Sequence, residues 1–111
     1  MKLTTQDYNK VTVVELNGGF TSEFGHSFEK KMNEIAVEGM EGIVVDFSNV
    51  SFIDSRGLEL ILWLRDVCSA KLIQLKIAGL DESCSKILEL TRIDKKFDRY
   101  CELAEAVKSF A

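Results

Sequence analysis

The stretch from Gly42 to Cys68 constrains this 111-residue chain more than any other. Ile43 to Phe47 is a short apolar run, rich in β-branched residues and bounded by Gly42 and by Ser48-Asn49. That is the pattern of a strand buried on both faces. Leu58 to Cys68 is apolar at Leu58, Ile61, Leu64 and Cys68, with Leu60 and Val67 beside that line. This is helical spacing with a wide buried stripe. A doubly buried strand followed at once by a helix points to a single α/β unit in which helices cover a sheet.

Between strand and helix stands Asp54-Ser55-Arg56-Gly57. The first backbone N–H groups of a helix have no intrahelical partner, and the helix dipole is positive there. Asp54 or Ser55 can cap those donors. The same place can hold an anion such as phosphate, so a hydroxyl there can be phosphorylated without disrupting the domain. Gly57 has no Cβ, which lets another backbone or a partner surface approach closely.

The run Val45-Asp46-Phe47-Ser48-Asn49-Val50-Ser51-Phe52-Ile53-Asp54-Ser55-Arg56-Gly57-Leu58 resembles the STAS domain of bacterial anti-sigma factor antagonists. Matching elements in order extends the resemblance from roughly Leu3 to Val107, and the whole chain, residues 1–111, is expected to be one such domain. The fold this implies has a mixed β-sheet, an N-terminal hairpin, parallel crossovers and about four helices. In that family the serine directly after the aspartate is the phosphoacceptor, which places it at Ser55. Three positions depart from the family pattern. Arg56 stands where a small residue is usual, Arg92 where glycine is commoner, and Thr21 where an aspartate near the phosphoacceptor is expected. The last change removes a negative charge from the expected partner surface.

Taken in order, Leu3–Tyr8 and Val11–Leu16 flank Asn9-Lys10 and predict a hairpin, with Asn17-Gly18-Gly19 ending its second strand. Thr21 or Ser22 is expected to cap a helix with Phe24, Phe28, Met32 and Ile35 on its buried line, His26 falling off that line as a solvated side chain. Residues Glu38 to Gly42 form the loop into the central strand. Leu72 to Ile77 alternates as a strand with one wet face, in parallel crossover with the central strand. Asp81 and Glu82 open a helix lined by Cys84, Ile87, Leu88 and Thr91. A short extended piece from Phe97 to Tyr100 precedes a final helix burying Leu103, Ala106, Val107 and Phe110.

Composition narrows the function. The net charge is −4, with 14 basic and 18 acidic residues, which argues against a nucleic-acid binder. No apolar run is long enough to insert in a membrane, and the first residues lack an export signal core, so a cytoplasmic protein is expected. Cys68, Cys84 and Cys101 are widely spaced, and with His26 the single histidine, neither a metal site nor a disulfide framework is expected. There is no Gly-x-Ser-x-Gly elbow, no glycine-rich phosphate loop and no histidine on the same element as Ser55. An enzyme and a bound cofactor are therefore not expected.

What remains is a binding module. Ser55 reads as a plain helix cap on spacing alone, and as a regulatory phosphoserine once the resemblance is weighed. Asp54 either caps the helix or orients the Ser55 hydroxyl. Leu62 and Trp63 either pack under a neighbouring helix or anchor a partner beside Ser55. The resemblance implies partner contacts at Asp54, Arg56, Gly57, Leu58, Leu62, Thr21 and Ser22. It implies an anti-sigma factor that is also a serine kinase as the partner, and a metal-dependent serine phosphatase to reverse the modification. Nucleotide and magnesium would belong to the kinase. The alternative is a STAS scaffold that binds a protein without being phosphorylated, in a stress-signalling or lipid-transport assembly.

Overall fold

The computed structural model describes residues 2–37 and 39–110. Five strands form one mixed sheet in the order β1-β2-β3-β4-β5. β1 (Lys2–Tyr8) and β2 (Val11–Phe20) make the N-terminal hairpin, paired antiparallel from Lys2↔Asn17 to Tyr8↔Val11. Asn9 turns the chain at φ 58°, a conformation asparagine tolerates better than most residues. β3 (Gly42–Ile53), β4 (Gln74–Ala78) and β5 (Asp98–Tyr100) follow in parallel, each joined to the strand before it by a helix. Those helices are α1 (Gly25–Ile35), α2 (Ser55–Ala70) and α3 (Glu82–Leu90).

α1, α2 and α3 share one face of the sheet, where Phe20, Phe28, Met32, Phe47, Leu60, Leu64 and Leu88 form the main core. α4 (Leu103–Lys108) covers the other face, over Val11, Val13, Val44 and Ala78. The central strand therefore has cover on both sides, and Ile43 to Phe47 is buried throughout. Cys68 and Cys84 face the main core, and burial pushes both thiols up to about 11, with Asp81 adding to the shift at Cys84. Cys101 is exposed.

Three boundaries up to α2 differ from expectation. β2 does not end at Asn17-Gly18-Gly19 but runs to Phe20, and β3 carries one extra residue opposite Glu15–Asn17 and another opposite Gly18–Phe20, a bulge in each case. β3 continues past Ser48-Asn49 to Ile53, so it delivers the chain directly to Asp54. Neither Thr21 nor Ser22 caps α1 through its side chain. A turn of 3-10 helix, Ser22–Phe24, comes first, and α1 begins at Gly25. Part of the loop into β3, Glu38, lies outside the described residues.

The wet face expected on β4 is absent at Lys76, which is 5% exposed. Its alkyl stem lies beneath α4, and its ammonium donates to Ser109 Oγ at 2.5 Å and sits 4.1 Å from the centre of the Phe110 ring. A long stem with a satisfied charged tip can be buried this way. Alternation could not reveal it, because the covering helix comes some thirty residues later in the chain.

Leu72 does not start β4 either. It follows α2 at φ 58° and is 90% exposed, while Ile73 N–H reaches back to Cys68 O at 2.8 Å. Arg92 repeats this after α3 at φ 62°, with Ile93 N–H to Leu88 O at 3.1 Å. Both are helix endings that favour glycine at the left-handed position. Arg92→Gly relieves that conformation with no buried contact to lose, and should raise stability by about 0.5–1 kcal/mol, after allowance for the looser unfolded chain. Thermal melts of the two proteins measure the gain directly.

Candidate functional site

The site lies where β3 hands over to α2, beside the end of β2. Asp54 sits just before the helix in extended backbone and caps it, Oδ1 accepting from Gly57 N–H at 2.8 Å. Its other oxygen, Oδ2, accepts from Ser22 N–H at 3.2 Å. One carboxylate thus holds two helical beginnings, and the backbone adds a third tie, Asp54 N–H to Phe20 O at 3.3 Å. The cap that the sequence placed on Thr21 or Ser22 comes from a residue 32 positions further on. Asp54→Ala should cost about 1–2 kcal/mol through these lost bonds, whereas Asp54→Asn should retain much of that. Urea titrations of both variants resolve the difference.

Asp54 being the cap, Ser55 is not. Ser55 is the first residue of α2 and is exposed. Among the described residues its hydroxyl has no hydrogen-bond partner, and neither the Ser55 nor the Arg56 N–H is paired. The next two donors are taken, Gly57 N–H by the Asp54 carboxylate and Leu58 N–H by the Asp54 carbonyl at 3.0 Å. The helix start therefore presents two free amides and a free hydroxyl to solvent.

Gly57 is buried, and its missing Cβ is used inside the molecule. A Cβ there would collide with the carbonyl oxygen of Phe20 and lie 2.9 Å from Ile53 Cγ2. Close approach of another backbone is thus realised, by β2 and not at an outer surface. Arg56 reaches sideways, donating to Glu29 on α1 at 2.6 Å and to Glu59 at 3.2 Å. A small residue at that position could not make this link between α1 and α2. Leu58 and Leu62 are half-buried against the main core, as is Trp63, whose ring stands edge-on to Phe28 at 6.5 Å. Trp63 thus packs under the neighbouring helix. Thr21 is half-buried and Ser22 exposed, both at the edge of the Ser55 surface.

Phe52 was not singled out in the sequence, where an aromatic in an apolar run reads as core. It is 53% exposed, and its ring lies over Gly19, where a Cβ would come within 2.7 Å of it. The only hint was local, since Ser51-Phe52 breaks the alternation between Val50 and Ile53.

A mixed sheet with three helices on one face and one on the other, and an exposed serine opening a helix that the preceding aspartate caps, define a class of small α/β domain. The sequence model of the STAS domain matches residues 2–109, and the chain belongs to that family. The fold is similar to that of an anti-sigma factor antagonist from Mycobacterium paratuberculosis, at 20% identity and TM-score 0.87, covering 98% of this chain and 92% of that one. It is also similar to the Bacillus cell fate determinant SpoIIAA in its phosphorylated form, at 16% identity and TM-score 0.77, covering 99% and 100%. The unphosphorylated form of SpoIIAA gives a TM-score of 0.76 at 17% identity, covering 97% and 95%. A sulfate transporter family protein from Wolinella succinogenes matches at 14% identity and TM-score 0.82, covering 93% and 86%. At these identities the likeness is one of fold. No helix among the described residues is long and apolar enough to cross a membrane.

Proposed function

We propose that this chain is an anti-sigma factor antagonist that works by partner switching, with Ser55 as the phosphoacceptor. In the unmodified state it binds an anti-sigma factor that is also a serine kinase, freeing the sigma factor; phosphorylation of Ser55 ends that binding, and a metal-dependent serine phosphatase restores it. The observation that carries this reading is the division of labour at the helix start. Asp54 holds the fold, which leaves the Ser55 hydroxyl exposed and without a structural task.

The surface around Ser55 supports a docking role. Phe52 offers an exposed ring close by in the chain, the kind of side chain that anchors interfaces. Ser22 and Thr21 flank it with polar groups, and Leu58 and Leu62 show partial apolar area along α2. Gly57 contributes indirectly, by setting where Ser55 stands.

The test is intact-mass analysis of the protein purified from its own cells, with and without phosphatase treatment. The expected result is a species heavier by one phosphoryl group, mapping to Ser55, removed by phosphatase and absent in Ser55→Ala. A phosphoryl group found on Ser55→Ala would overturn the assignment. A protein that binds its partner but never carries phosphate would instead be an unswitched scaffold.

A further inference from the structure

The two edges of the sheet are unlike. β5 is a three-residue edge carrying Asp98 and Arg99, too short and too charged to recruit another strand. β1 is seven residues long, without proline or bulge, and uncharged between Lys2 and Asp7. Among the described residues nothing covers its outer side: β2 is its one neighbour in the sheet, and six of its seven residues are exposed.

The register fixes which groups that edge presents. Tyr8 pairs with Val11 across the two-residue turn, and pairing continues through Gln6↔Val13, Thr4↔Glu15 and Lys2↔Asn17. In a two-residue hairpin the flanking pair is hydrogen-bonded, and bonded pairs alternate along an antiparallel ladder. Tyr8, Gln6, Thr4 and Lys2 therefore bond to β2. β2 gives the same parity independently, because the Lys10 carbonyl accepts from Gly42 N–H of β3 at 3.3 Å, leaving Val11 to face β1. The outward amides and carbonyls of β1 then belong to Leu3, Thr5 and Asp7.

This set is symmetric about Thr5. We infer that β1 is a homodimerisation edge, on which a second copy of this chain pairs antiparallel about a twofold axis through Thr5, joining two five-stranded sheets into one of ten. In that register Thr5 meets its own copy and Leu3 meets Asp7 of the other chain, so every outward donor finds an acceptor. The intervening positions place Lys2 opposite Tyr8 and Thr4 opposite Gln6, so no like charges stand face to face. Asp7 already accepts from Thr12 Oγ1 at 2.8 Å within its own chain, which keeps its carboxylate from opposing the seam. A twofold normal to the sheet leaves α4 of both copies on the same side, flanking the uncovered strip formed by Thr4, Gln6 and Tyr8. Ser55 stands at the end of β3, two strands in from this edge, and is exposed, so it stays accessible in both copies.

Sedimentation equilibrium on the full chain should give twice the chain mass with rising concentration. Thr5→Pro removes an outward N–H and no bond to β2, so it should return the protein to monomer with its far-UV spectrum and melting cooperativity intact. In a Cys101→Ser background, Thr5→Cys should cross-link as a dimer on mild oxidation, at least tenfold faster than Thr4→Cys, which faces Gln6. A wild-type protein that stays monomeric throughout, a dimer indifferent to Thr5→Pro, or equal cross-linking at residues 4 and 5 would each overturn the inference.

Discussion

Alanine at Gly57 should lower folding stability by about 2–4 kcal/mol, far more than one methyl group normally costs on a helix. On intrinsic propensity the same change would stabilise a helix by about 1 kcal/mol. The sign reverses because of what faces the position. The added carbon would meet the Phe20 carbonyl oxygen and the Ile53 methyl, one of them backbone and neither able to rotate away. Either the end of β2 retreats, losing the Asp54 N–H to Phe20 O bond, or α2 lifts from the sheet. Both routes disturb the Asp54 carboxylate between Gly57 and Ser22, so the Ser55 surface should suffer with the fold. Urea unfolding gives the number, and Ser55→Ala, expected within about 0.5 kcal/mol of wild type, is the control. A Gly57→Ala protein as stable as its parent would mean that β2 and α2 do not touch as described.

The same junction shows how far the sequence could be read. The run Ile43 to Phe47 announced a doubly buried strand, and the spacing of Ile61, Leu64 and Cys68 announced the helix that covers one face of it. Asn9-Lys10 fixed the hairpin, and the line through Phe28 and Met32 fixed the face of α1. These signals are periodic and local, and local patterns survive in a single chain. What escaped depends on residues far apart. The amide of Ser22 is satisfied by Asp54, Lys76 is buried by Ser109 and Phe110, and Gly57 answers to Phe20. Phe52 lies outside although it is a core-type residue, because β3 carries an extra residue between Val50 and Ile53 and glycine at residue 19 of β2 gives its ring a shelf to lie on. Arg92 was legible only in part, since a helix ending can be placed from sequence but the hand of its backbone cannot, and Leu72, expected to open β4, instead ends α2 in the same left-handed conformation.

Ser55→Asp should leave the fold nearly unchanged while lowering affinity for the anti-sigma factor kinase by at least about 100-fold, or roughly 3 kcal/mol. Within the domain two effects oppose each other. The start of α2 favours a negative charge by about 0.3–1 kcal/mol at an exposed site. Asp54 already occupies the Gly57 and Ser22 amides, so a new anion finds just the Ser55 and Arg56 donors and is repelled by a neighbouring carboxylate. Two charges about 4 Å apart in water repel by about 1 kcal/mol, comparable to the dipole gain, and the terms offset. At an interface no such offset operates. The charge would be taken out of water beside Phe52 and the apolar flank of α2, where an unpaired ion costs several kcal/mol. A phosphoserine, at about −1.5 to −2 charge, should act in the same direction and more strongly. Melting temperatures of wild type, Ser55→Ala and Ser55→Asp should therefore agree within roughly 3 °C, while calorimetric titration with the kinase separates the aspartate variant from the other two. Equal affinities across the three would remove Ser55 from the interface, and a parallel loss of stability would mean that the switch acts through the fold instead of through the surface.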